Sequence, residues 1–528
     1  MKNFIISLLS ITLALGSCTK GFLDTEPITD LTDENFYTTP EDAYTALVGC
    51  YDGLQIIWAE GISLPVAAEV LSDNCFGGTG NADGFGYQML DEFDRLRSPA
   101  DQNIFGPNWE AYYKAVYRCN VLIGKLDDIE WGNETDLRLI YEAEARFIRA
   151  YLYFDMVRLW GNIPLLTEPS SENIPQSTSE EVYGVIAGDL QFAIGHLPST
   201  AYAAQSTDTY GRVTKWAAEG LMGRVFLYYT GYYNQSDLVG LVDRGTALNY
   251  LEDIIANGGY ALVEHYANLW PASLEDYVGE DNQETIFAIK YTYTSDYDGN
   301  TDGNHWLVML GMREQWSFPY GNGWGGATVN PKLWNTYSDA DSRKAASIIA
   351  IQEEQINFTN QSRQREYTGY YNKKYTPLVD EEGNSIAVNN GAVNFMIGQF
   401  QDYVSIRYAD ILLMAAELGS ANAQLYFDAV RQRAYGDNFT ALPATPARIM
   451  NERHLEFALE GIRYWDLLRQ GVNQAANTIA ENTFVLNGGQ QVSKVINASK
   501  INETQGLQQI PYNQINLSNG VLVQNTGW

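Results

Sequence analysis

The sequence has few of the residues from which metal sites and disulfide frameworks are built. Only four histidines and four cysteines occur among 528 residues, and neither His-x-x-x-His nor Cys-x-x-Cys spacing is present. A zinc site therefore has no support. If Cys18 is modified, as argued below, three cysteines remain, and the sequence leaves open whether Cys50, Cys75 and Cys119 form one disulfide or stay as thiols.

Positive charge and long apolar runs are also scarce. The chain has 33 Lys and Arg against 65 Asp and Glu, which gives a net charge of -32. Such a field repels nucleic acid, and no basic patch offsets it, so we expect no nucleic-acid partner. No segment reaches the length of a transmembrane helix.

Motifs for common catalytic machinery are missing as well. There is no Gly-x-Ser-x-Gly elbow, no Walker loop, and no Gly-x-Gly-x-x-Gly after a strand. His305 stands near Asp298 and Asp302 but has no nucleophile beside it. The sequence therefore predicts a protein that is not an enzyme.

One set of carboxylates could still suggest hydrolysis. Glu452, Glu456 and Glu460 recur every four residues in a segment that we predict to be one helix from Glu452 to Arg469. Paired carboxylates catalyse glycoside hydrolysis. Arginines on the preceding helix, Arg431 and Arg433, favour instead a buried Glu–Arg network that fixes helix register.

The N-terminus is typical of an exported lipoprotein. Met1–Asn3 carries a positive charge, and Phe4–Leu15 is apolar but too short to span a bilayer. The sequence Leu15-Gly16-Ser17-Cys18 resembles a bacterial lipobox, in which the cysteine is acylated. Three acyl chains would anchor the protein firmly to a membrane. An ordinary secretory signal with a nearby cysteine is the alternative.

Helical periodicity dominates both ends of the chain. In Glu142–Leu166, the side chains of Phe147, Tyr151, Phe154 and Arg158 follow the spacing of one helical face. Gly161 and Pro164 end this helix. Thr214 is the expected N-cap of a later helix. Helices joined by short turns predict an α-solenoid of tetratricopeptide type with degenerate repeats.

The middle of the chain changes character. Thr285–Tyr293 alternates like a strand, and Tyr370–Val388 predicts a hairpin closed near Glu382-Gly383-Asn384. We expect an irregular α+β insert on a mostly α protein. The predicted divisions are a signal peptide at 1–17, a tether at 18–39, helical parts at 40–260 and 403–528, a Gly-rich loop at 72–90, and the insert at 261–402.

One stretch of the insert resembles a calcium loop. Asp296–Gly303 places oxygen atoms at alternate positions, as a hard cation requires. Thr301 replaces the glycine of an EF-hand, and no glutamate stands at the twelfth position. An ordinary turn is therefore favoured, a structural calcium is left open, and no other cofactor is predicted.

Aromatic residues are the main indication of a binding site. Ten rings lie between Tyr291 and Tyr337, interleaved with glycine and asparagine. Exposed rings can stack on the C–H face of a sugar, while amides and carboxylates bond its hydroxyls. The alternative is that these rings form the core of the insert, which alternation favours for Tyr291 and Tyr293. The candidate ligand contacts are Trp306, Trp316, Tyr320 and Trp324.

Several motifs resemble the SusD/RagB family, surface lipoproteins of Bacteroidetes that capture nutrients beside a TonB-dependent transporter. Glu144–Phe147 through Gly161–Leu166 is similar to the family's characteristic helix. Further similar stretches are Gly211–Tyr229, Arg407–Glu417, Val430–Ala434, Glu452–Arg469, and the tail from Leu507 to Trp528.

The resemblance implies a SusD-like fold, in which helical repeats carry a loop-rich insert that binds the ligand. It also implies a lipid anchor at Cys18 in the outer membrane, exposure at the cell surface, and a SusC-like transporter as partner. Family members bind through the insert and the early Gly-rich loop, which adds Asp73, Asn74, Phe85 and Tyr87 by position. We expect an oligosaccharide ligand; the alternatives are a RagB-like peptide binder and a surface glycoside hydrolase.

Overall fold

The computed structural model describes residues 36–59, 61–94 and 103–528. The predicted signal peptide, Cys18 and most of the tether lie outside the described residues. Within the described residues, no helix combines the length and the apolar character needed to cross a bilayer.

Nineteen α-helices account for most of the regular structure in the described residues. They are α1 Pro40–Ala59, α2 Leu64–Val70, α3 Gly86–Asp91, α4 Gly106–Lys125, α5 Thr135–Trp160, α6 Ser179–His196, α7 Lys215–Tyr232, α8 Arg244–Asn257, α9 Trp306–Leu310, α10 Pro331–Thr336, α11 Arg343–Ser347, α12 Ile386–Asn389, α13 Tyr408–Glu417, α14 Ala423–Tyr435, α15 Pro446–Phe457, α16 Arg463–Leu468, α17 Val472–Ile479, α18 Ala498–Glu503 and α19 Tyr512–Leu517.

The strands are short and pair in twos. They are β1 Cys75–Gly78 with β7 Gly326–Val329, β2 Ile163–Pro164 with β3 Gln176–Ser177, β4 Thr285–Ile289 with β10 Tyr403–Arg407, β5 Met312–Arg313 with β6 Asn322–Gly323, β8 Ile348–Ala350 with β9 Tyr370–Asn372, and β11 Glu481–Asn487 with β12 Gln490–Ile496. All pairs are antiparallel except β5 with β6.

Helix α5 lies at the centre of the helical body. Successive helices pack on one another, α1 on α4, α4 on α5, α5 on α6, α6 on α7, and α7 on α8. In helix α5, eighteen side chains are buried, because neighbouring helices cover it on several sides. Thr214 caps α7 as predicted, since its side chain accepts the N–H of Ala217.

The C-terminal tail closes the end of α5. Gly161 ends the helix with φ of +71°, and a Cβ there would lie 2.8 Å from Leu507 Cδ1. The N–H of Gln508 donates to the Leu159 carbonyl at 2.8 Å, and Asn525 Nδ2 donates to the Trp160 carbonyl at 2.9 Å. The tail thus supplies donors to carbonyls that a helix end leaves unpaired.

The predicted continuous helix from Glu452 to Arg469 is wrong. α15 ends at Phe457 and α16 begins at Arg463, with Leu459 and Gly461 between them at φ of +69° and +77°. The buried carboxylate of Glu69 in α2 accepts their N–H groups at 3.2 and 2.7 Å. A distant acid therefore stabilises a turn where the local pattern predicts helix.

The Glu–Arg network is confirmed. Arg407 Nη1 lies 2.5 Å from Glu456 Oε1, and Arg433 bonds the same carboxylate. Burial alone would raise the pKa of Glu456, but the arginines outweigh it and hold this pKa below its ordinary value. Glu452 bonds Arg343 at 2.6 Å and Arg431 at 3.4 Å. These carboxylates are neutralised inside the protein rather than exposed in a cleft.

Two expectations for the insert need correction. The predicted hairpin ladder over Tyr370–Val388 is wrong, because β9 pairs with β8. The predicted turn near Gly383 is present, where a bridge joins Val379 to Ser385 and the N–H of Asp380 donates to the Asn384 carbonyl at 3.0 Å. Pro377 has no N–H for a ladder. β4 forms but ends at Ile289, and all five of its residues are buried, so alternation does not mark an exposed face there.

The remaining polar predictions are settled in part. Cys50, Cys75 and Cys119 are buried free thiols. In the Asp296–Gly303 stretch, Asp296 Oδ1 accepts the N–H groups of Asp298 and Asn300 at 2.8 and 3.1 Å, as in an ordinary Asx turn. The ordinary turn that the sequence favours is therefore present.

Candidate ligand-binding groove

An open groove of about 840 Å³ lies between the Gly-rich loop and the insert. The loop contributes one wall and the segments around β5 and β6 contribute the other. Side chains relevant to binding are Thr79, Asp83, Tyr87, Arg313, Glu314, Asn322, Trp324 and Phe395. This is the position at which the sequence predicts a ligand site.

Other cavities are less suited to a sugar. A cavity of about 50 Å³ among Arg158, Arg224 and Asp155 has room only for water. A cleft of about 590 Å³ lies between α1 and the insert, and one of about 610 Å³ lies on the helical body; neither is lined by tryptophan. The groove alone among these combines a tryptophan ring with carboxylate, amide and guanidinium groups.

Pairing of β1 with β7 joins the Gly-rich loop to the insert. Gly78 faces Gly326 in this ladder, and its φ of +72° is a conformation that suits glycine. A Cβ on Gly325 would lie 2.1 Å from Gln364 Oε1. Gln364 Nε2 donates to the carbonyls of Thr79 and Gly325 at 3.0 and 2.8 Å. The glycines thus permit a close approach that shapes the groove.

Arg365 holds the loop from the insert side. Its guanidinium donates to the carbonyls of Gly84, Asn81 and Asp83 at 2.9, 3.1 and 2.8 Å. It also lies 4.1 Å from the ring centroid of Phe85. Arg365 is only 5% exposed, so it positions the loop without facing the groove.

Lys494 fixes the start of the same loop. Its amine lies 2.7, 2.9 and 2.6 Å from carboxylates of Asp91, Glu92 and Glu366. The second oxygen of Asp91 accepts the N–H of Gly77, and that of Glu366 accepts the N–H of Gly78. A buried cation from the β11–β12 hairpin is therefore linked through two carboxylates to strand β1.

The polar lining of the groove is organised around Arg313. Its Nη1 lies 2.9 Å from Asp83 Oδ2 and its Nη2 lies 3.2 Å from Glu314 Oε1. Thr79 and Glu314 have φ of +74° and +50°, unusual for residues other than glycine. Such strained backbone clusters at binding sites.

Two of the predicted rings line the groove. Trp324 is 40% exposed, and its backbone N–H donates to the Val308 carbonyl at 2.8 Å. Tyr87 is half-buried, and burial raises the pKa of its phenol, which stays protonated at neutral pH. Phe395, which the sequence did not single out, adds a third ring.

Two further predicted rings are exposed but lie outside the groove lining. Trp316 is 43% exposed and its ring lies against Gly383, where a Cβ would be 2.4 Å from Cζ2. Phe85 is 46% exposed and stacks on Arg365. Both stand beside residues that line the groove, and their contact with a ligand stays a prediction.

Two predicted rings are removed from the site by burial. Trp306 is 4% exposed, and its ring centroid lies 5.1 Å from that of Tyr375. Tyr320 is also 4% exposed and donates its hydroxyl to Glu354 at 2.7 Å. Both rings belong to cores of the insert, as large rings commonly do.

Asp73 and Asn74 are likewise internal. Asp73 forms two bonds with Arg463, at 2.7 and 3.0 Å. Asn74 donates to Glu69 at 2.7 Å, and its Oδ1 lies 2.7 Å from His454 Nε2. Their polar groups are used within the protein, so we correct the expectation that they contact a ligand.

Sequence reasoning missed the polar part of the site. Asp83 lies in the Gly-rich loop that the sequence analysis assigns to ligand binding, so its position in the sequence could have indicated it. Arg313, Asn322 and Arg365 stand in no motif, and only the folded arrangement brings them to the loop.

Comparison with known proteins agrees with this architecture. A family model described as "SusD family" matches residues 353–528, and one described as "Starch-binding associating with outer membrane" matches residues 82–227. A SusD-like protein of Bacteroides ovatus is 25% identical over 496 residues, which is 89% of this chain and 82% of that one. SusD-like protein P25 of Formosa agariphila is 24% identical, covering 89% and 90%.

Solved structures show the same fold. Surface glycan-binding protein A from Bacteroides thetaiotaomicron, in complex with laminarihexaose, superposes with a TM-score of 0.76 at 25% identity and covers 93% of this chain and 100% of that one. A laminarin-binding SusD-like protein has a TM-score of 0.71 at 27% identity, with the same coverage. The fold is therefore the mostly α SusD fold, and the two family models together with these relatives identify the chain as SusD-like.

Proposed function

We propose that the protein captures an oligosaccharide or polysaccharide at the cell surface, in the groove between the Gly-rich loop and the insert. The observation that carries this proposal is the exposed ring of Trp324 beside Asp83, Arg313 and Asn322 in an open groove. A flat apolar face surrounded by donors and acceptors suits a sugar ring. Relatives at 25% and 27% identity are described as binding laminarihexaose and laminarin.

The same proposal assigns roles to the parts of the chain. The loop at 72–90 and the insert at 261–402 form the ligand-binding part, and the helical parts at 40–260 and 403–528 carry it. The protein binds the glycan and does not cleave it, and the buried state of Glu452, Glu456 and Glu460 supports this.

Delivery to a SusC-like TonB-dependent transporter and attachment to the outer membrane complete the proposal. The lipobox-like sequence before Cys18 supports the anchor, and the description "associating with outer membrane" supports the location.

Replacement of Trp324 by Ala tests the site. The purified mature chain should be retarded in native gels that contain laminarin or xyloglucan, and Trp324→Ala should weaken this retention by at least about tenfold, because a ring central to a contact commonly contributes more than about 1.4 kcal/mol. The melting temperature should change little, since the ring is 40% exposed.

The control is Tyr117→Ala, which removes a 53% exposed ring from α4. It should leave retention as in the wild type. Equal retention of wild type and Trp324→Ala would contradict the proposed site. Binding of peptides and of no glycan would favour the RagB-like alternative.

A further inference from the structure

We infer that the groove is selective for neutral glycans and rejects those that carry uronate or sulfate groups. The inference rests on the proposed function and adds the chemical class of the ligand. It is carried by the two carboxylates that hold the guanidinium of Arg313.

Arg313 is engaged on both of its terminal nitrogens. Nη1 donates to Asp83 Oδ2 at 2.9 Å and to the Trp324 carbonyl at 3.2 Å, while Nη2 lies 3.2 Å from Glu314 Oε1. The guanidinium also lies over Gly80, where a Cβ would be 2.2 Å from Nη2. Its side chain is 13% exposed. Recognition of a carboxylate or sulfate by arginine needs two parallel N–H groups that are open to the ligand. Nη1 and Nη2 are engaged, and Nε, which has no hydrogen-bond partner among the described residues, is buried, so no such pair is open.

The charges of the described groove lining sum to a negative value. Asp83 and Glu314 contribute two negative charges, and Arg313 contributes one positive charge. Glu314 also bonds Nη1 of Arg363, a residue outside the groove lining whose side chain is 65% exposed. An acidic sugar in the groove would lose hydration and meet carboxylates rather than an unpaired cation.

The net charge of -32 acts in the same direction over a longer range. At physiological ionic strength this field is screened beyond about 8 Å, so the groups inside the groove decide the preference. At low salt, the whole chain should add to the rejection of polyanions. Ionic strength therefore separates the two effects.

An uncharged sugar can use the same groups. The carboxylates of Asp83 and Glu314 accept bonds from hydroxyls, and the amide of Asn322 offers a donor and an acceptor. The ring of Trp324 takes an apolar sugar face. None of these contacts requires charge on the ligand.

The test compares neutral glycans with matched acidic derivatives. The mature chain is titrated with laminarin, xyloglucan, galactomannan and starch, each also supplied after oxidation of its primary hydroxyls to carboxylates where it has them. In 150 mM NaCl, the neutral form of the bound glycan should bind at least about tenfold more tightly than its carboxylated form. Neutral binding should not depend on salt, while the acidic form should bind better as salt rises.

The double variant Asp83→Asn/Glu314→Gln frees Arg313 and should raise the ratio of acidic to neutral affinity by about tenfold, because two nearby negative charges are lost. Glu168→Gln/Glu172→Gln is the matched control, with the same change in net charge at exposed positions of the helical body. The control should keep the ratio of the wild type.

Equal binding of neutral and carboxylated forms by the wild type would overturn the inference. So would an unchanged ratio in the double variant of the groove. Failure to bind any glycan, neutral or acidic, would instead contradict the proposed function, which makes the two failures distinguishable.

Discussion

At the scale of single residues, the pair formed by His454 and Asn74 shows how buried polar groups stabilise the region behind the groove. His454 Nε2 lies 2.7 Å from Asn74 Oδ1, and Asp73 bonds Arg463 beside it. Burial, reinforced by the positive charge of Arg463, lowers the pKa of His454 to about 3. The neutral ring is therefore part of the folded state at physiological pH.

This lowered pKa predicts a loss of stability in mild acid. An unfolded histidine takes up a proton near pH 6.5, whereas the folded one stays neutral, so acid favours unfolding in the window between about 6.5 and 3. Between pH 6.5 and 5, the wild type should lose about 2 kcal/mol through this residue. His454→Gln should lose correspondingly less, measured by urea unfolding at several pH values.

The control for this measurement is His265→Gln at an exposed position, which should reproduce the pH dependence of the wild type. Parallel curves for His454→Gln and wild type would show that His454 is not responsible. Asp73, whose pKa its cationic neighbours lower to about 2 against the effect of burial, adds to acid lability only below about pH 4.

Which residues line the groove could be predicted from the sequence only in part. Glycine and ring composition identified the neighbourhood of Trp324 and Tyr87. The same composition also selected Trp306 and Tyr320, which pack inward because Tyr375 and Glu354 lie against them. Those partners come from other segments, so local pattern could not separate exposed from buried rings.

At the scale of elements, the β11–β12 hairpin is connected to the groove through one buried cation. The carboxylate oxygens of Asp91, Glu92 and Glu366 lie within 4.8 Å of one another, as in a metal site, and the amine of Lys494 supplies the positive charge beside them. Two of these carboxylates bond the backbone of Gly77 and Gly78. The hairpin therefore helps to fix the loop that lines the groove.

The variant Lys494→Met tests how much this buried amine contributes to the stability of the protein. Three carboxylates left without a cation should destabilise the protein by about 3–5 kcal/mol, and more at pH 8 than at pH 5, where protonation relieves their repulsion. Millimolar Ca²⁺ should raise the melting temperature of this variant, because three carboxylates suit a hard cation. The measurement is thermal unfolding with and without Ca²⁺.

Lys114→Met provides the matched comparison, since it removes an exposed lysine from α4. It should have nearly the stability of the wild type and show no gain with Ca²⁺. A Lys494→Met variant as stable as the wild type would contradict the role given to this amine.

Elements with strong periodicity could be predicted, and those set by distant contacts could not. The end of α5 could be predicted because Gly161 is a glycine at a helix end, and the start of α7 could be predicted because Thr214 has a side chain that caps helices. The break between α15 and α16 depends on Glu69, far away in the sequence. Likewise, strand β9 pairs with β8 and not with the segment that follows it, and the local sequence pattern does not indicate this partner.

At the scale of the whole molecule, a helical body carries a groove that is assembled from two distant segments. The Gly-rich loop and the insert meet through β1 and β7, with Gln364 and Arg365 bonding across the junction. All of these contacts are made between groups of the protein itself, so they define the shape of the groove. A groove fixed in this way lowers the ordering cost of capturing a flexible glycan.

The overall architecture was the most predictable level, because six separated stretches carry the family resemblance. The insert and the loop carry none, and their mutual arrangement depends on long-range pairing. The proposed binding site therefore lies in the part of the chain where the sequence is least informative, as expected for a binding surface supported by a common scaffold.

The most direct test of the account is a crystal structure of the mature chain with a neutral oligosaccharide identified by the binding screen. We expect a sugar ring stacked on Trp324, with hydroxyls within hydrogen-bond distance of Asp83 and Asn322. A ligand bound in the cleft beside Tyr44 and Tyr210 instead, with the groove empty, would contradict the central claim.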